Sequence, residues 1–247
     1  MNRSSTGREF EVPSDIMVWD LETIPDLEGY ARANNLIGKS PEEIRTAMGD
    51  EFPKLIYHSI ICIGALVASR TANGYEVQVV GAPHIGQRTE KELIESFVNK
   101  IAQLSPQFVT FSGGSFDLPV LRYRAMVHEV HAPGMHNRAY FHRYTDDNVD
   151  LCDVLSSFGY GARVKLDELS RIMGLPGKPG GMDGSQVEAY FNAGRVQEIA
   201  DYCKSDVINT YRLWLRHELF RGRLDQKQFE ASEENVIGLP PRAPALG

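Results

Sequence analysis

The sequence predicts an α/β domain, a mixed five-stranded sheet flanked by helices. Short Ile- and Val-rich runs of strand length dominate the first third of the chain, and helical periodicity dominates the last third. A tight hairpin joins two early strands, whereas helical patterns separate the later ones, so antiparallel and parallel pairings are both expected.

The elements follow in order. Residues 16–19, Ile-Met-Val-Trp, form a buried strand that ends at Asp20-Leu21-Glu22. Pro25, Pro41 and Pro53 mark a long connection that carries a short helix over 41–48. Residues 59–69 give a second strand, Asn73-Gly74 a hairpin turn, and residues 75–80 an antiparallel third strand. Leu93, Ile94, Phe97, Ile101 and Leu104 fall at helical spacing over 89–104, and Thr89 with Glu92 forms a capping box. A strand at 108–111 is broken by Gly113-Gly114, and a helix runs from Asp117 to 130. After a polar loop at 131–148, residues 149–155 read as a short strand or a strand-to-helix turn. A helix at 165–173 is closed by Gly174, and the Gly- and Pro-rich stretch 176–184 is a loop. A short helix at 187–191 precedes the longest helical pattern, 196–220. With no internal repeat and no linker before about residue 225, one domain over 14–224 is expected, between flexible tails at 1–13 and 225–247.

Composition narrows the function classes. Apolar content of 42% and charged content of 24% are those of a soluble globular protein. No apolar run reaches membrane-spanning length and the N-terminus carries no signal peptide, so neither membrane nor export is expected. Cys62, Cys152 and Cys203 have no CxxC spacing, which argues against a zinc site or a disulfide framework and for free thiols in a cytoplasmic protein. The net charge of −7 is not that of a basic nucleic-acid binder. Carboxylates neutralised by divalent cations reconcile it with a nuclease, provided that basic charge is concentrated locally.

The chemistry-bearing residues stand at four places. Asp20 and Glu22 are two apart on a strand, so their side chains share one face. Two carboxylates on a buried face need a partner, and oxygen ligands suit Mg²⁺ or Mn²⁺. Asp117 follows a glycine-bearing strand end and begins a helix, where a capping role is the plain alternative. Tyr202 and Asp206 are four apart on the long helix, just over one turn, and share a face beside the stripe of Ile199, Cys203, Val207 and Tyr211.

The joint order resembles the tyrosine-bearing branch of the DEDD exonuclease superfamily. The segments VWDLETIP, FVTFSGGSFDLPVL, VDLCDVLS, LDELSRIMGLPGK and IADYCKSDVINTY look like the predicted 3′→5′ exonucleases related to the proofreading domain of family B DNA polymerases. The resemblance implies an RNase H-like fold and an enzyme that removes nucleoside 5′-monophosphates from the free 3′ end of single-stranded DNA or RNA. It implies two divalent metal ions held by Asp20, Glu22, Asp117 and Asp206, with Tyr202 orienting the attacking water. It places Thr23, Ser112 and Phe116 at substrate-binding positions. The family's second motif usually has asparagine where Ser112 stands, so the asparagine's contact to the substrate backbone is not carried over. A catalytically silent nucleic-acid-binding module of the same fold is the alternative, and the presence of all four acids and the tyrosine speaks against it.

Weaker expectations concern Asp150, as a turn cap or a support for the site, and Lys178, as a phosphate contact from a flexible loop. The segment 118–145 holds Arg122, Arg124, Arg138 and Arg143 interleaved with aromatics. It is the expected local basic surface, with Arg138 and Arg143 as its substrate contacts.

Overall fold

The computed structural model describes residues 14–177 and 182–238. Strand β1 (Asp15–Pro25) lies at the centre of a five-stranded sheet of order β3-β2-β1-β4-β5. Strands β2 (His58–Thr71) and β3 (Gly74–Gly81) continue from it as an antiparallel meander. Strands β4 (Gln107–Thr110) and β5 (Asn148–Asp150) are parallel additions on the other side. The expected mixed sheet flanked by helices is present, and the architecture is the RNase H-like one.

Alternation along β1 decides which layer each side chain enters. Ile16 and Val18 belong to a core that includes Val207, Tyr211 and Trp214 of the long helix α8 (Val196–Phe220). Met17, Trp19 and Leu21 face the opposite layer, with Leu93 and Phe97 of α3 (Glu90–Leu104) and Leu118 and Leu121 of α4 (Asp117–Val127). Asp20 and Glu22 share the parity of Ile16 and Val18, so the strand's two acids point to the α8 side.

The expected elements appear with shifted boundaries. β1 runs on to Pro25 through a bulge between Glu22 and Thr23. α4 stops at Val127, and Glu129 adopts a left-handed φ of 55° in place of a further helical turn. The connection after β1 holds two helices, α1 (Leu27–Ala33) and α2 (Pro41–Met48). The Asp26 carboxylate accepts from the Gly29 amide at 2.9 Å and starts α1, a capping signal easily masked by the mixed composition around it. Residues 149–155 resolve into the end of β5 and α5 (Leu151–Leu155), followed by α6 (Leu166–Ile172) and α7 (Val187–Asn192).

The tail expected from residue 225 is a correction. Residues 226–237 form α9 (Gln226–Ile237), opened by a capping box of Asp225 and Gln228. Far from being a flexible tail, this helix covers the outer edge of the sheet. The Ser232 hydroxyl and the Asn235 side-chain oxygen each accept a β3 amide, from Tyr75 and Val77, both at 2.8 Å. An edge strand leaves such donors unpaired, and side chains of α9 satisfy them. Residues 1–13 and 239–247 lie outside the described residues.

One buried ion network ties the second layer to the end of β1. Arg124 of α4 donates to Asp26 at 2.6 Å and to both oxygens of Glu90 at 2.7 and 2.6 Å, and Glu90 also accepts from the Ile60 amide of β2. Removing one partner of such a network leaves buried charge uncompensated.

On the other layer, α8 crosses β2 closely over Gly64, the residue opposite Asp20 in the ladder. A Cβ at Gly64 would lie 2.6 Å from Cys203 Sγ and 3.0 Å from Val207 Cγ2, so glycine is what lets α8 sit down on the strand ends. Gly64→Ala should therefore destabilise the protein by about 1–3 kcal/mol through overpacking. In urea unfolding the double variant Gly64→Ala/Cys203→Ala should recover much of that loss. Additive losses would show that the α8 crossing does not depend on this contact.

Candidate active site

The bulged end of β1, the connection between α2 and β2, and one face of α8 enclose a cleft of about 580 Å³. Asp20, Glu22, Tyr202 and Asp206 all line it. The strand pair comes from the two-residue period and the helix pair from the four-residue period, and the close crossing at Gly64 brings the two faces together. Glu22, Tyr202 and Asp206 are buried, while Asp20 is half-buried at the mouth. Ligand atoms of Asp20, Glu22 and Cys203 lie within 4.8 Å of one another. Among the described residues the lining holds six carboxylates, the others being Asp50, Glu51 and Glu188, against one arginine, Arg45. That arginine is engaged with Glu188 at 3.0 Å.

Tyr202 donates its hydroxyl hydrogen bond to Asp206. Burial, together with the charges of Asp206, Glu22 and Asp20, drives its pKa far above that of a free phenol. With these carboxylates charged and no cation beside them, the hydroxyl acts as a hydrogen-bond donor.

Asp117 approaches from the opposite layer and does not cap its own helix with its side chain. Its Oδ1 accepts from the Leu21 amide at 2.9 Å, in the middle of Asp20-Leu21-Glu22. The reason lies in the ladder. β4 pairs with β1 at Ile16, Met17 and Val18 and then turns away, so the β4-facing amide further along needs another acceptor. Burial pushes the Asp117 carboxyl up to about 7; the Leu21 amide opposes the shift and the charge of Asp150 adds to it. Asp117 thus stands behind the strand end and is not part of the cleft lining.

The turn between β4 and α4 is held by Asp150. Its carboxylate accepts from the amides of Ser112 at 2.8 Å, Gly114 at 3.0 Å and Cys152 at 3.1 Å. It both caps α5 and shapes the second-motif loop. Ser112 has φ 69°, a left-handed conformation that asparagine tolerates better than serine. The position where the family usually has asparagine is therefore one with a backbone reason for it.

The remaining expected contacts divide. Thr23 and Phe116 line the cleft. Thr23 Oγ1 lies 3.0 Å from His58 Nδ1, and Phe116 packs edge-on against the His58 ring at 5.1 Å. Ser112 lines a neighbouring cavity that meets the cleft at Gly184 and Ser185 and also holds Arg163, Lys165 and Arg171. Lys178 lies outside the described residues.

Arg138 and Arg143 are placed elsewhere, and neither lines the cleft. Arg138 pairs with Asp147 at 3.1 Å, and Arg143 grips both oxygens of Asp153 at 2.7 and 3.0 Å. Arg124 is buried in its ion network, and Tyr140 is a core residue stacked on Phe108 at 3.9 Å. The basic-aromatic interleaving of 118–145 thus serves largely to hold this segment together.

Sequence reasoning missed Phe52, His58, Arg45 and Glu188, which all line the cleft. Their signal is tertiary: they come from connections and short helices that no local pattern assigns to the site.

The sequence profile of the predicted 3′–5′ exonucleases related to the exonuclease domain of PolB matches residues 50–239. The chain belongs to this family. The match takes in Asp117, Tyr202 and Asp206 and begins after Asp20 and Glu22, which the fold joins to it through the β1–β2 and β1–β4 ladders. Membership implies a nucleic-acid substrate and suggests exonuclease activity. No curated protein matches the chain.

The pKa of Asp117 makes a measurable statement about stability. For a carboxyl raised on folding, the stabilising contribution is complete below the unfolded value near 3.9 and is lost as pH rises through the folded value. Asp117→Asn keeps the acceptor for the Leu21 amide and removes the titration. In metal-free urea unfolding the variant should gain on wild type by roughly 1–3 kcal/mol between about pH 5 and pH 8. A difference independent of pH would contradict the assigned shift.

Proposed function

We propose that this protein is a metal-dependent 3′→5′ exonuclease that releases nucleoside 5′-monophosphates from single-stranded DNA or RNA. One observation carries the reading: Asp20 and Glu22 from the central strand meet Tyr202 and Asp206 from α8 in a single cleft. Family membership supplies the reaction class.

The residues fit divalent cations. Asp20, Glu22 and Asp206 offer hard carboxylate oxygens, the donor type suited to Mg²⁺ or Mn²⁺, in a cleft whose lining is strongly acidic. These three would hold two such ions, with Asp117 supporting the site from behind through the Leu21 amide. When bound, the ions lower the pKa of the attacking water and offset the charge of the phosphodiester and of its leaving oxygen.

The chain's own groups do the positioning. Tyr202, a phenol whose ordinary pKa lies near 10 and so a weak base at neutral pH, orients the attacking water by hydrogen bonding. Asp117 fixes the backbone between Asp20 and Glu22, so the two carboxylates keep their spacing. Thr23 and His58 form a polar wall beside them. The exposed Lys165, in the cavity adjoining at Gly184 and Ser185, suits a phosphate further along the strand.

The deciding experiment is a time course with 5′-labelled single-stranded DNA and RNA in Mg²⁺ or Mn²⁺. A ladder shortening one nucleotide at a time is expected, absent with EDTA and with Asp20→Asn. Internal fragments would indicate an endonuclease, and intact strands with wild-type protein would overturn the reading. In the same assay Tyr202→Phe should lower kcat by about 100- to 1000-fold, the range for loss of one positioned hydrogen-bonding group. Mn²⁺ binding, measured by calorimetry, should change little. An unchanged kcat would remove Tyr202 from the chemistry.

A further inference from the structure

A groove of about 950 Å³ lies on the layer of α3 and α4 and shares no lining residue with the acidic cleft. Its floor is apolar, built from Val98, Leu121, Ala125, Val130, Met135 and Phe141. Met126, 71% exposed, extends that floor outward. The rim is basic. Arg122, His136, Arg138 and His142 stand there against one acid among the described residues, Asp147, which pairs with Arg138 at 3.1 Å. Arg122 is exposed, stands over the Phe141 ring at 5.2 Å and forms no ion pair among the described residues. An apolar trough with a cationic edge suits an acidic peptide segment that carries apolar anchors.

The register of the sheet brings such a segment close. Ile16 of β1 pairs with Gln107 of β4, and the next β4 residue, Phe108, pairs with Asn148 of β5. Asp147, on the rim, is therefore in line with Ile16 and two inter-strand spacings away, about 10 Å. The chain that leads into β1 thus enters beside the groove. Its residues 9–13 read Glu-Phe-Glu-Val-Pro. In an extended chain Phe10 and Val12 fall on one side, and Glu9 and Glu11 on the other. From Ser14 back to Phe10, four residue steps span up to about 14 Å, which exceeds that separation. We propose that the groove is the docking site for residues 9–13 of this chain, with Phe10 and Val12 on the apolar floor and Glu9 and Glu11 at the basic rim. Leu121, Arg122, Ala125 and Met126 belong to α4, the helix that Asp117 opens. The docked segment therefore braces the helix from which Asp117 holds the Leu21 amide.

Photo-cross-linking of the full chain tests the placement. Phe10→p-benzoylphenylalanine keeps an aromatic anchor at position 10 and makes it reactive on irradiation. Digestion and mass spectrometry should locate the cross-links within one chain and on residues 121–142. An excess of the free peptide of residues 8–14 should suppress them. Arg122 is exposed, so exchanging it leaves the core intact. Arg122→Glu should lower the yield by about 2- to 5-fold, the range for one exposed ion pair. Adding Glu9→Arg and Glu11→Arg to the Arg122→Glu chain should restore it. Cross-links scattered over the surface would overturn the proposal, as would a yield indifferent to both Arg122→Glu and the free peptide. A covalent dimer would place the segment in the groove of a second copy and overturn docking within one chain.

Discussion

The end of β1 carries two carboxylates on the face that α8 packs against, and the surrounding structure is organised by that constraint. Charge cannot be left in a buried interface without compensation. The apolar run Ile16–Val18 is covered by α8, and the next two positions of the same parity, Asp20 and Glu22, emerge where the cover opens into the cleft. Gly64 sets how closely α8 descends, and thereby where Tyr202 and Asp206 meet the strand acids. On the opposite side β4 is short, and the backbone it leaves uncovered is taken up by Asp117. A longer β4 would pair the Leu21 amide in the ladder and leave Asp117 no backbone to hold.

Second to this is the turn that delivers Asp117. Ser112 sits in a left-handed conformation, which costs a non-glycine residue about 1–2 kcal/mol. The Asp150 carboxylate offsets that by collecting four backbone amides, two of them from this turn. Asp150 carries its charge into a buried position to do so, and burial raises its pKa against the pull of the amides. The two acids are thus coupled, since the charge of Asp150 raises Asp117 and the loop geometry of Asp150 positions it.

Much of this was legible in the sequence because it is periodic. The two-residue repeat through β1, the four-residue interval of Tyr202 and Asp206, the Thr89–Glu92 capping box and the Asn73-Gly74 hairpin are local signals with local outcomes. The misses share a different cause. α9 was expected to be part of a flexible tail, yet its Ser232 and Asn235 hold amides of β3, more than 150 positions away. Arg138 and Arg143 looked like free cations because Asp147 and Asp153, which bind them, lie outside the window in which their charge stood out. A count of basic residues says how much charge is present and nothing of whether it is already paired.

That pairing bears on how an acidic protein handles a polyanion. Arg124, Arg138 and Arg143 all have internal partners, and among the described residues the cleft is lined by six carboxylates and by one arginine, which Glu188 holds. Under the proposed reading, bound cations would offset this wall charge and make the cleft locally favourable to phosphate. The exposed Lys165 of the adjoining cavity would add to that attraction further along a bound strand.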